Sequence, residues 1–465
     1  MIHKRSLMYA LLWIPFWGAA QSAPDLKELI EAAMARDGLL QQQSLEIQYT
    51  DLDQKKLKDV FLPKLEITGR GGFMHTGIHL TTPEVSIPKI PMIFPGLSIP
   101  EGSNTLNISG FSGAAKAEAS MLIYSGGKVK HLKKALDEKN LSQQELMQNN
   151  RNEIITTISK AYDQFALVHQ SKKVLDESKK RLDANKKTAD KALGYGLITP
   201  YDHKKIELTQ ATLDSKLAEY EGKRELLITQ LEVLTGIGRE RIAQIDPQLN
   251  VIEYNSENQS VENRAEIKAL EHGIKATEHK IQAENTWWIP KVQAITSLSY
   301  FGLYGDHIYT SKEIIPNTGK KLDLHPNSLN AFPIFQAGIG FKWNPFDGNQ
   351  GKREIEKNKI EKQILESKKT DAIRKLELNL ANNQTNYSIS FSQIALKNKQ
   401  KQIAANALRQ ADKEFRYGTI KFTQFLEAQN DLENAELEYQ TAIFNQRRAA
   451  IELMKATQNL TVDAL

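Results

Sequence analysis

The sequence predicts a mainly helical chain with a small β part, built from two copies of one unit. Long stretches lack glycine and proline and are rich in Ala, Leu, Glu, Gln and Lys, which are strong helix formers. Four shorter stretches alternate apolar residues with polar or small ones, which is the period of a β-strand. The same order of strand, turn and long helix then occurs twice along the chain, which indicates an internal repeat.

Composition limits the functions that the chain can have. Its 465 residues carry a formal net charge of +5. This small, evenly spread charge gives no support to nucleic-acid binding. The absence of cysteine excludes disulfides, thiolate nucleophiles and thiolate metal sites. The histidines are scattered and no phosphate-binding loop motif occurs, so we expect neither an enzyme nor a cofactor.

Residues 1–22 have the pattern of a secretory signal peptide. Lys4 and Arg5 form a charged region, and an apolar run from Leu7 to Phe16 follows, with small residues after it. The apolar run is too short to span a bilayer comfortably. No other stretch approaches about 18 apolar residues, so we expect the exported chain to enter a membrane as a β-barrel if it enters one at all.

The first predicted repeat covers residues 23–262. It begins with a mostly helical segment over residues 25–58, where apolar residues follow the helical period. Alternation of apolar and polar residues then predicts strands at about residues 65–74 and 111–124. A polar, irregular connector over residues 239–262 closes the repeat.

A proline-rich stretch, residues 75–108, separates the first two strands and predicts a long loop. It holds five prolines, which are excluded from helices and from central strands. His75 and His79 lie at its start. Two isolated histidines in a loop are more often solvated than bound to a metal, so we expect no metal site.

The helical hairpin of the first repeat turns at residues 194–200. Residues 128–193 contain neither glycine nor proline and predict one helix on the order of 100 Å long. Gly196 ends it, because glycine adopts positive φ without steric cost. Thr199 and Pro200 suit the N-cap and the first turn of a return helix.

The second predicted repeat covers residues 263–465 and has the same internal spacing. Gly126 lies 70 positions before Gly196, and Gly348 lies 70 positions before Gly418 in the second tip, residues 416–421. Its strands are predicted at about residues 291–302 and 335–345. Near the end of the last strand, Phe341 and Trp343 are placed as membrane-interface aromatic residues, whose rings favour one dry and one wet edge.

Four predicted strands per chain are too few to close a barrel. Open strand edges are not tolerated in lipid, so we expect a barrel shared between subunits. A dimer would supply eight strands and a trimer twelve. The polar inner faces favour a water-filled lumen, and therefore a trimer.

These features together resemble the TolC family of outer-membrane efflux proteins, over the whole mature chain. The resemblance rests on the two units of helix, proline, strand, loop and strand. After each unit comes the motif (Phe/Tyr)-x-Gly, and then a long helix. It also rests on the paired tips Tyr-Gly-Leu-Ile-Thr and Tyr-Gly-Thr-Ile, on Leu-Thr-Gly at residues 234–236, and on Phe-Leu-Glu-Ala-Gln at residues 425–429.

The resemblance implies a homotrimeric channel-tunnel in the outer membrane of a Gram-negative bacterium. A shared twelve-stranded β-barrel would cross the lipid, and a large periplasmic α-barrel would be formed by the long helical hairpins. The partners implied are a periplasmic adaptor (membrane fusion) protein and an inner-membrane pump or ABC exporter. The implied activity is multidrug efflux or type I secretion through a passive duct.

The resemblance also assigns roles to residues at the tips. Gly196, Leu197, Gly418 and Thr419 match adaptor-contact positions. The pore entrance and gate would include Asp202, Lys421, Gln424 and Glu427. Two acids that face the pore in familiar members fall on Gln424 and Glu427, and a basic gate residue falls on Ile420. We therefore expect a gate with a changed charge pattern.

One alternative function is a periplasmic coiled-coil scaffold or adaptor without a membrane barrel. It would use the same long helices. The alternating strands with aromatic residues at their ends argue against it, because a soluble scaffold has no need of them.

Overall fold

The computed structural model describes most of the chain, in these ranges: residues 22–89, 91, 97–99, 101–196, 198–254, 260–313, 318–457 and 460–461. All of the predicted signal peptide except Ser22 lies outside the described residues. The chain divides into two compact units. One comprises Met1–Thr50, Glu138–Lys275 and Lys362–Leu465, and the other Asp51–Asp137 and Ala276–Glu361.

Two helical hairpins of equal size dominate the fold, as the internal repeat predicts. Helices α3 (Lys128–Gly194) and α7 (Gln350–Arg416) each have 67 residues. Their return helices, α4 (Pro200–Thr235) and α8 (Phe422–Thr457), each have 36. The remaining helices are α1 (Leu26–Arg36), α2 (Gly38–Asp59), α5 (Arg239–Ile242) and α6 (Ala265–Glu284).

The first helical segment is divided at Asp37, which the helical period alone does not reveal. The Asp37 N–H closes α1 on the Ala33 carbonyl at 2.9 Å, and its carboxylate accepts the Leu40 N–H at 2.7 Å. Asp37 therefore ends α1 and accepts one of the unpaired N–H groups at the start of α2. The predicted connector also differs from expectation, because it includes the short helix α5.

A hydrophobic core joins α1 to the long helices. Leu29 and Ile30 of α1 are fully buried and pack with Ile158 and Phe165 of α3 and with Leu231 of α4. Burying an aliphatic side chain of this size contributes roughly 1.5–3 kcal/mol. The core therefore supplies the packing that helices as long as α3 need, since they have no core of their own.

A buried ion pair ties the connector to this core. Arg447 Nε lies 2.9 Å from Asp163 Oδ2, and Arg447 Nη1 donates to the Asn250 carbonyl at 2.9 Å. Burial raises the pKa of the Asp163 carboxyl, and the hydrogen bond from Arg447 opposes that rise. Beside it, Gln446 donates to the Ile252 carbonyl at 2.6 Å and accepts the Ile252 N–H at 3.0 Å.

The second unit is built around an antiparallel sheet in the order β1-β4-β5-β7, with the short β6 pairing the far end of β5. A separate hairpin pairs β2 with β3. The strands are β1 (Lys64–Thr82), β2 (Val85–Ile87), β3 (Leu97–Ile99), β4 (Gly102–Tyr124), β5 (Lys291–Thr310), β6 (Asp323–Leu324) and β7 (Ser328–Lys342).

The strands are longer than the sequence predicts, so the prediction of a loop over residues 75–108 is wrong at both ends. Strand β1 continues to Thr82, and β4 starts at Gly102 and pairs with it. The prolines lie only between these ends, at positions 83–100, and backbone pairing continues wherever none interrupts it. His75 and His79 therefore lie in β1. Four strand residues span about 13 Å, which is too far for the two histidines to share an ion.

The register sorts side chains onto two different faces. On one face, Ile67, Ala117, Leu298 and Phe335 lie opposite one another across the four long strands. The next row along the strands, on the other face, is polar: Glu66, Glu118, Ser297 and Gln336. Ile67 is 75% exposed and Ile339 is 76% exposed. A large apolar face without cover is unusual for a soluble monomer and marks an interaction surface.

In the part of the chain that the structure describes, no helix is both long and apolar enough to cross a lipid bilayer.

Candidate functional site at the hairpin tips

The first tip joins α3 to α4 through two different caps. Gly196 has φ of +69° and donates its N–H to the Leu193 carbonyl at 3.0 Å, which closes the last turn of α3. Thr199 then begins α4 with a capping box. Its hydroxyl oxygen accepts the Asp202 N–H at 3.1 Å, and Asp202 Oδ2 accepts the Thr199 N–H at 3.3 Å. The predicted contact residue Leu197 lies outside the described residues.

The second tip joins α7 to α8 in a related way. Gly418 has φ of +72° and donates to the Phe415 carbonyl at 3.0 Å, while Thr419 N–H donates to the Glu414 carbonyl at 2.9 Å. This pair of bonds is a Schellman motif, which ends a helix at a left-handed residue. At the start of α8, the Gln424 side chain accepts the Lys421 N–H at 3.0 Å.

Both tips require glycine because of the backbone conformation at that position, and not because a side chain would lack space. A Cβ at Gly196 or at Gly418 would meet no other atom within 4 Å. Positive φ is nevertheless costly for a β-branched residue. Beside each glycine stands a tyrosine that is almost fully solvent-exposed, Tyr195 at 80% and Tyr417 at 84%.

A single hydrophobic core holds the two hairpins together near their tips. Phe415, Phe422 and Phe425 form an aromatic cluster with ring centroids 5.2–6.1 Å apart. Residues of the first hairpin, including the fully buried Ile206, pack in the same core. Ile420 packs against it too, which gives a physical reason for an apolar residue where the family resemblance implies a basic one.

Polar contacts deeper in the hairpins link α8 to the first hairpin. Lys216 Nζ of α4 lies 2.8 Å from Glu433 Oε1, and the Glu433 side chain is only 7% exposed. Asn185 of α3 donates to Gln429 at 3.2 Å. Sequence reasoning missed these residues, because charged and amide side chains are common on every helix face here and only the packing distinguishes these.

Two of the predicted gate residues cap helices, and the other two have solvent-exposed side chains. Asp202 and Gln424 are engaged in helix caps, as described above. Lys421 and Glu427 are exposed, and Glu427 has no helix-capping bond. Within one chain, the structure therefore brings Lys421 and Gln424 together at the second tip. A role of these four residues in a pore stays a prediction.

The predicted interface aromatics, Phe341 and Trp343, lie where β7 ends. Phe341 is 75% exposed, and Trp343 Nε1 donates to the Trp288 carbonyl at 2.8 Å. The indole therefore has its hydrogen bond while much of its ring stays uncovered, as is typical of tryptophan between an apolar and an aqueous region.

Comparison with known families identifies the second half of the chain. Residues 258–458 match the family model described as "Outer membrane efflux protein". The chain carries an outer membrane efflux protein domain. The matched region includes β5, β7, the second hairpin and its Tyr-Gly tip, and this match confirms the resemblance inferred from the sequence.

Solved structures share the fold over nearly the whole chain, including the first repeat. CusC, in a study of transmembrane channel formation, has a TM-score of 0.69 at 13% identity, covering 94% of this chain and 92% of CusC. VceC, an outer membrane protein of Vibrio cholerae, has 0.67 at 15%, covering 93% and 96%. The CmeC outer membrane channel of Campylobacter jejuni has 0.67 at 13%, covering 99% and 94%. No curated protein matches the chain significantly in sequence.

Proposed function

We propose that three copies of this chain form a passive export channel of the Gram-negative outer membrane. The β-sheet would cross the lipid, and the helical hairpins would form a periplasmic duct. A periplasmic adaptor and an inner-membrane pump or ABC exporter would open the duct at the tips, in a tripartite efflux or type I secretion system. The efflux-protein domain and the channels that share this fold support the proposal.

The observation that carries the proposal is a four-stranded sheet with one exposed apolar face and two free edges. Strands β1 and β7 lie at the edges of the four long strands, and among the described residues each pairs with one long neighbour. Unpaired edges cannot stay open in lipid, so they require pairing with other copies. Three copies supply twelve strands, which is enough for a barrel with an aqueous lumen.

The dimensions and polarity of the sheet suit this role. From Leu65 to Phe73 of β1, exposed apolar residues extend over about 26 Å of strand, or about 20 Å at a tilt of 40°. An outer-membrane barrel has an apolar band of about 25 Å. The opposite face carries Glu66, Arg70 and Lys116, which a water-filled lumen accommodates and lipid does not.

A matched pair of variants in β7 tests the orientation of the sheet. Ile339→Lys places a charge on the apolar face, whereas Gln336→Lys places it on the polar face of the same strand. A lysine facing lipid near the midplane costs roughly 2–4 kcal/mol, and a lysine in the lumen costs little. We expect heat-modifiable trimers in the outer-membrane fraction for Gln336→Lys, and their strong depletion for Ile339→Lys.

The whole proposal is tested by the assembly state of the unmodified protein. Native mass spectrometry of detergent-extracted protein should show trimers, and planar bilayers should show discrete conductance steps. A soluble monomer would contradict the channel and would support the alternative of a periplasmic scaffold. Equal trimer yields for the two lysine variants would contradict a lipid-facing apolar surface.

A further inference from the structure

Far from the hairpin tips in sequence, two histidines and an aspartate converge between β5 and β6. His307 is on β5, Asp323 begins β6, and His325 follows β6 directly. The register pairs Tyr309 with Asp323 and Ile308 with Leu324, so His307 and Asp323 come from neighbouring strands and His325 lies next to them in the chain. Sequence spacing does not reveal the cluster, because Asp323 lies 16 positions after His307.

Each of the three side chains brings one potential ligand atom into the same small region. His307 Nε2 lies 2.8 Å and His325 Nε2 lies 3.3 Å from the same oxygen, Asp323 Oδ1. The two imidazole rings are stacked with centroids 4.3 Å apart. All three potential ligand atoms lie within 4.8 Å of one another. Ligand atoms that each lie about 2.0–2.2 Å from one ion are separated from one another by distances comparable to those found here. A small movement of the three side chains would therefore make room for a metal ion.

Backbone hydrogen bonds on both sides hold the cluster in place. Gly305 N–H donates to the Asn327 carbonyl at 3.2 Å, and Thr310 N–H donates to the Leu322 carbonyl at 3.0 Å. Thr310 also accepts the Leu322 N–H through its hydroxyl at 3.0 Å. His307 and Asp323 are therefore held on paired strands, and His325 lies in a short segment whose neighbours Pro326 and Asn327 accept backbone hydrogen bonds from β5, which reduces the entropy lost on binding.

We propose that His307, Asp323 and His325 bind one divalent transition-metal ion such as Zn²⁺. Two imidazole nitrogens and one carboxylate oxygen suit zinc, copper or nickel, whereas calcium and magnesium prefer oxygen ligands alone. Water would complete the coordination, because the three side chains are 41–67% exposed. The bound ion would link β5 to the residues around β6.

The other histidine clusters do not have this geometry. His203 approaches Asp190 through Nε2 and Glu207 through Nδ1, so its two carboxylates lie at opposite sides of the ring and cannot share an ion. Among the described residues, His307, Asp323 and His325 are the one group of three potential ligands whose donor atoms converge.

The site lies beyond the apolar band of the sheet. His307 is 16 residues along the chain from Lys291, where β5 begins, which corresponds to about 50 Å of strand, or about 40 Å at a tilt of 40°. That distance exceeds the roughly 30 Å of a hydrocarbon core. If the channel proposal holds, the ion would be reached from the aqueous phase at the end of β5 away from Lys291. Metal binding itself does not depend on that proposal.

Isothermal titration of the full-length protein in detergent with ZnCl₂ tests the inference. We expect one Zn²⁺ per chain, and no comparable heat with CaCl₂. Asp323→Asn keeps the shape and removes the charge, and His307→Gln with His325→Gln removes two ligands. Loss of a supporting residue around a metal typically weakens affinity 10–100-fold, so loss of a ligand should weaken it at least about tenfold.

A matched control is available on the same sheet. The pair His75→Gln and His79→Gln removes two strand histidines that cannot share an ion, and it should leave zinc affinity and stoichiometry unchanged. Circular dichroism checks that each variant is folded, and hydrogen exchange gives a local readout. Zn²⁺ should slow exchange at the Thr310 and Leu322 amides in the unmodified protein and not in His307→Gln/His325→Gln. No zinc binding, or equal loss in the control pair, would overturn the proposal.

Discussion

Asp202 and Gln424 occupy the same place in the two hairpin tips, and each accepts the N–H that precedes its helix. Asp202 accepts the Thr199 N–H at 3.3 Å, and Gln424 accepts the Lys421 N–H at 3.0 Å. The two residues are 222 positions apart, which is also the separation of Gly196 and Gly418. The repeat therefore extends to the helix caps. The second cap has one bond fewer than the first. Thr199 accepts the Asp202 N–H through its hydroxyl, whereas the Lys421 side chain has no hydrogen-bond acceptor.

Removing a cap should loosen only the tip that contains it. We expect Asp202→Ala to destabilise the start of α4 by about 1 kcal/mol, since the Thr199 N–H loses its acceptor. Gln424→Ala should act similarly at the start of α8. Hydrogen exchange at these two helix starts measures the effect, and the exposed, non-capping Glu427→Ala is the control. Faster exchange throughout both hairpins would contradict a local role.

Bulky residues at the tip glycines should impair export while assembly persists. Gly196→Val and Gly418→Val force a β-branched residue into positive φ, which strains the tip by roughly 1–3 kcal/mol. The control is Gly194→Val, because Gly194 is the last helical residue of α3 and has no positive φ. Trimer yield and transport of a fluorescent export substrate are measured together. Normal transport by both tip variants would refute the tips as the docking surface.

Glu427 should influence ion selectivity if the second tip borders the pore. Three copies would place three exposed carboxylates around one axis, and such rings favour cations. We expect Glu427→Gln to shift the reversal potential in a planar bilayer towards weaker cation preference and to reduce block by divalent cations. Glu356→Gln, an exposed acid near the start of α7, is the charge-matched control. Identical reversal potentials for both variants would place Glu427 away from the pore.

The buried pair Asp163–Arg447 should matter far more than an exposed one. Asp163→Ala leaves the Arg447 guanidinium buried without its counter-ion, which typically costs about 3–5 kcal/mol. The control is Asp214→Ala, which breaks the exposed pair with Lys179 and should cost less than about 1 kcal/mol. Thermal unfolding followed by circular dichroism compares them. Equal shifts in unfolding midpoint would show that the buried pair has no special role.

The stability of the helical hairpins should fall as pH decreases through the histidine range. Burial lowers the pKa of His169 below its usual value of 6.5, and Lys173 and Arg224 lower it further, against the opposing effect of Asp246. The unfolded chain therefore binds a proton at a higher pH than the folded chain does, so stability is lost as pH falls below about 6.5. Between about pH 7.5 and pH 5.5, we expect the unfolding midpoint of His169→Gln to fall by less than that of the unmodified protein. An unchanged pH dependence would contradict this.

Much of the helical architecture was predictable because its signals are local. Gly196 and Gly418 end helices through their own backbone preference, and Thr199 with Pro200 begins the next one. The equal spacing of the two repeats then fixed the order of elements. Strand ends were less predictable, since the pairing of Thr82 with Gly102 depends on a partner strand and not on the local alternation of side chains.

The sequence by itself determined the two hairpins and their tips, because glycine, proline and hydrophobic period act over a few residues, and it also carried the resemblance to an efflux family. Only the tertiary structure decided which polar side chains meet. Asp163 reaches Arg447 across 284 positions, and His307 reaches Asp323 across paired strands. Such contacts depend on register and packing, and nothing in the spacing of the residues along the chain specifies them.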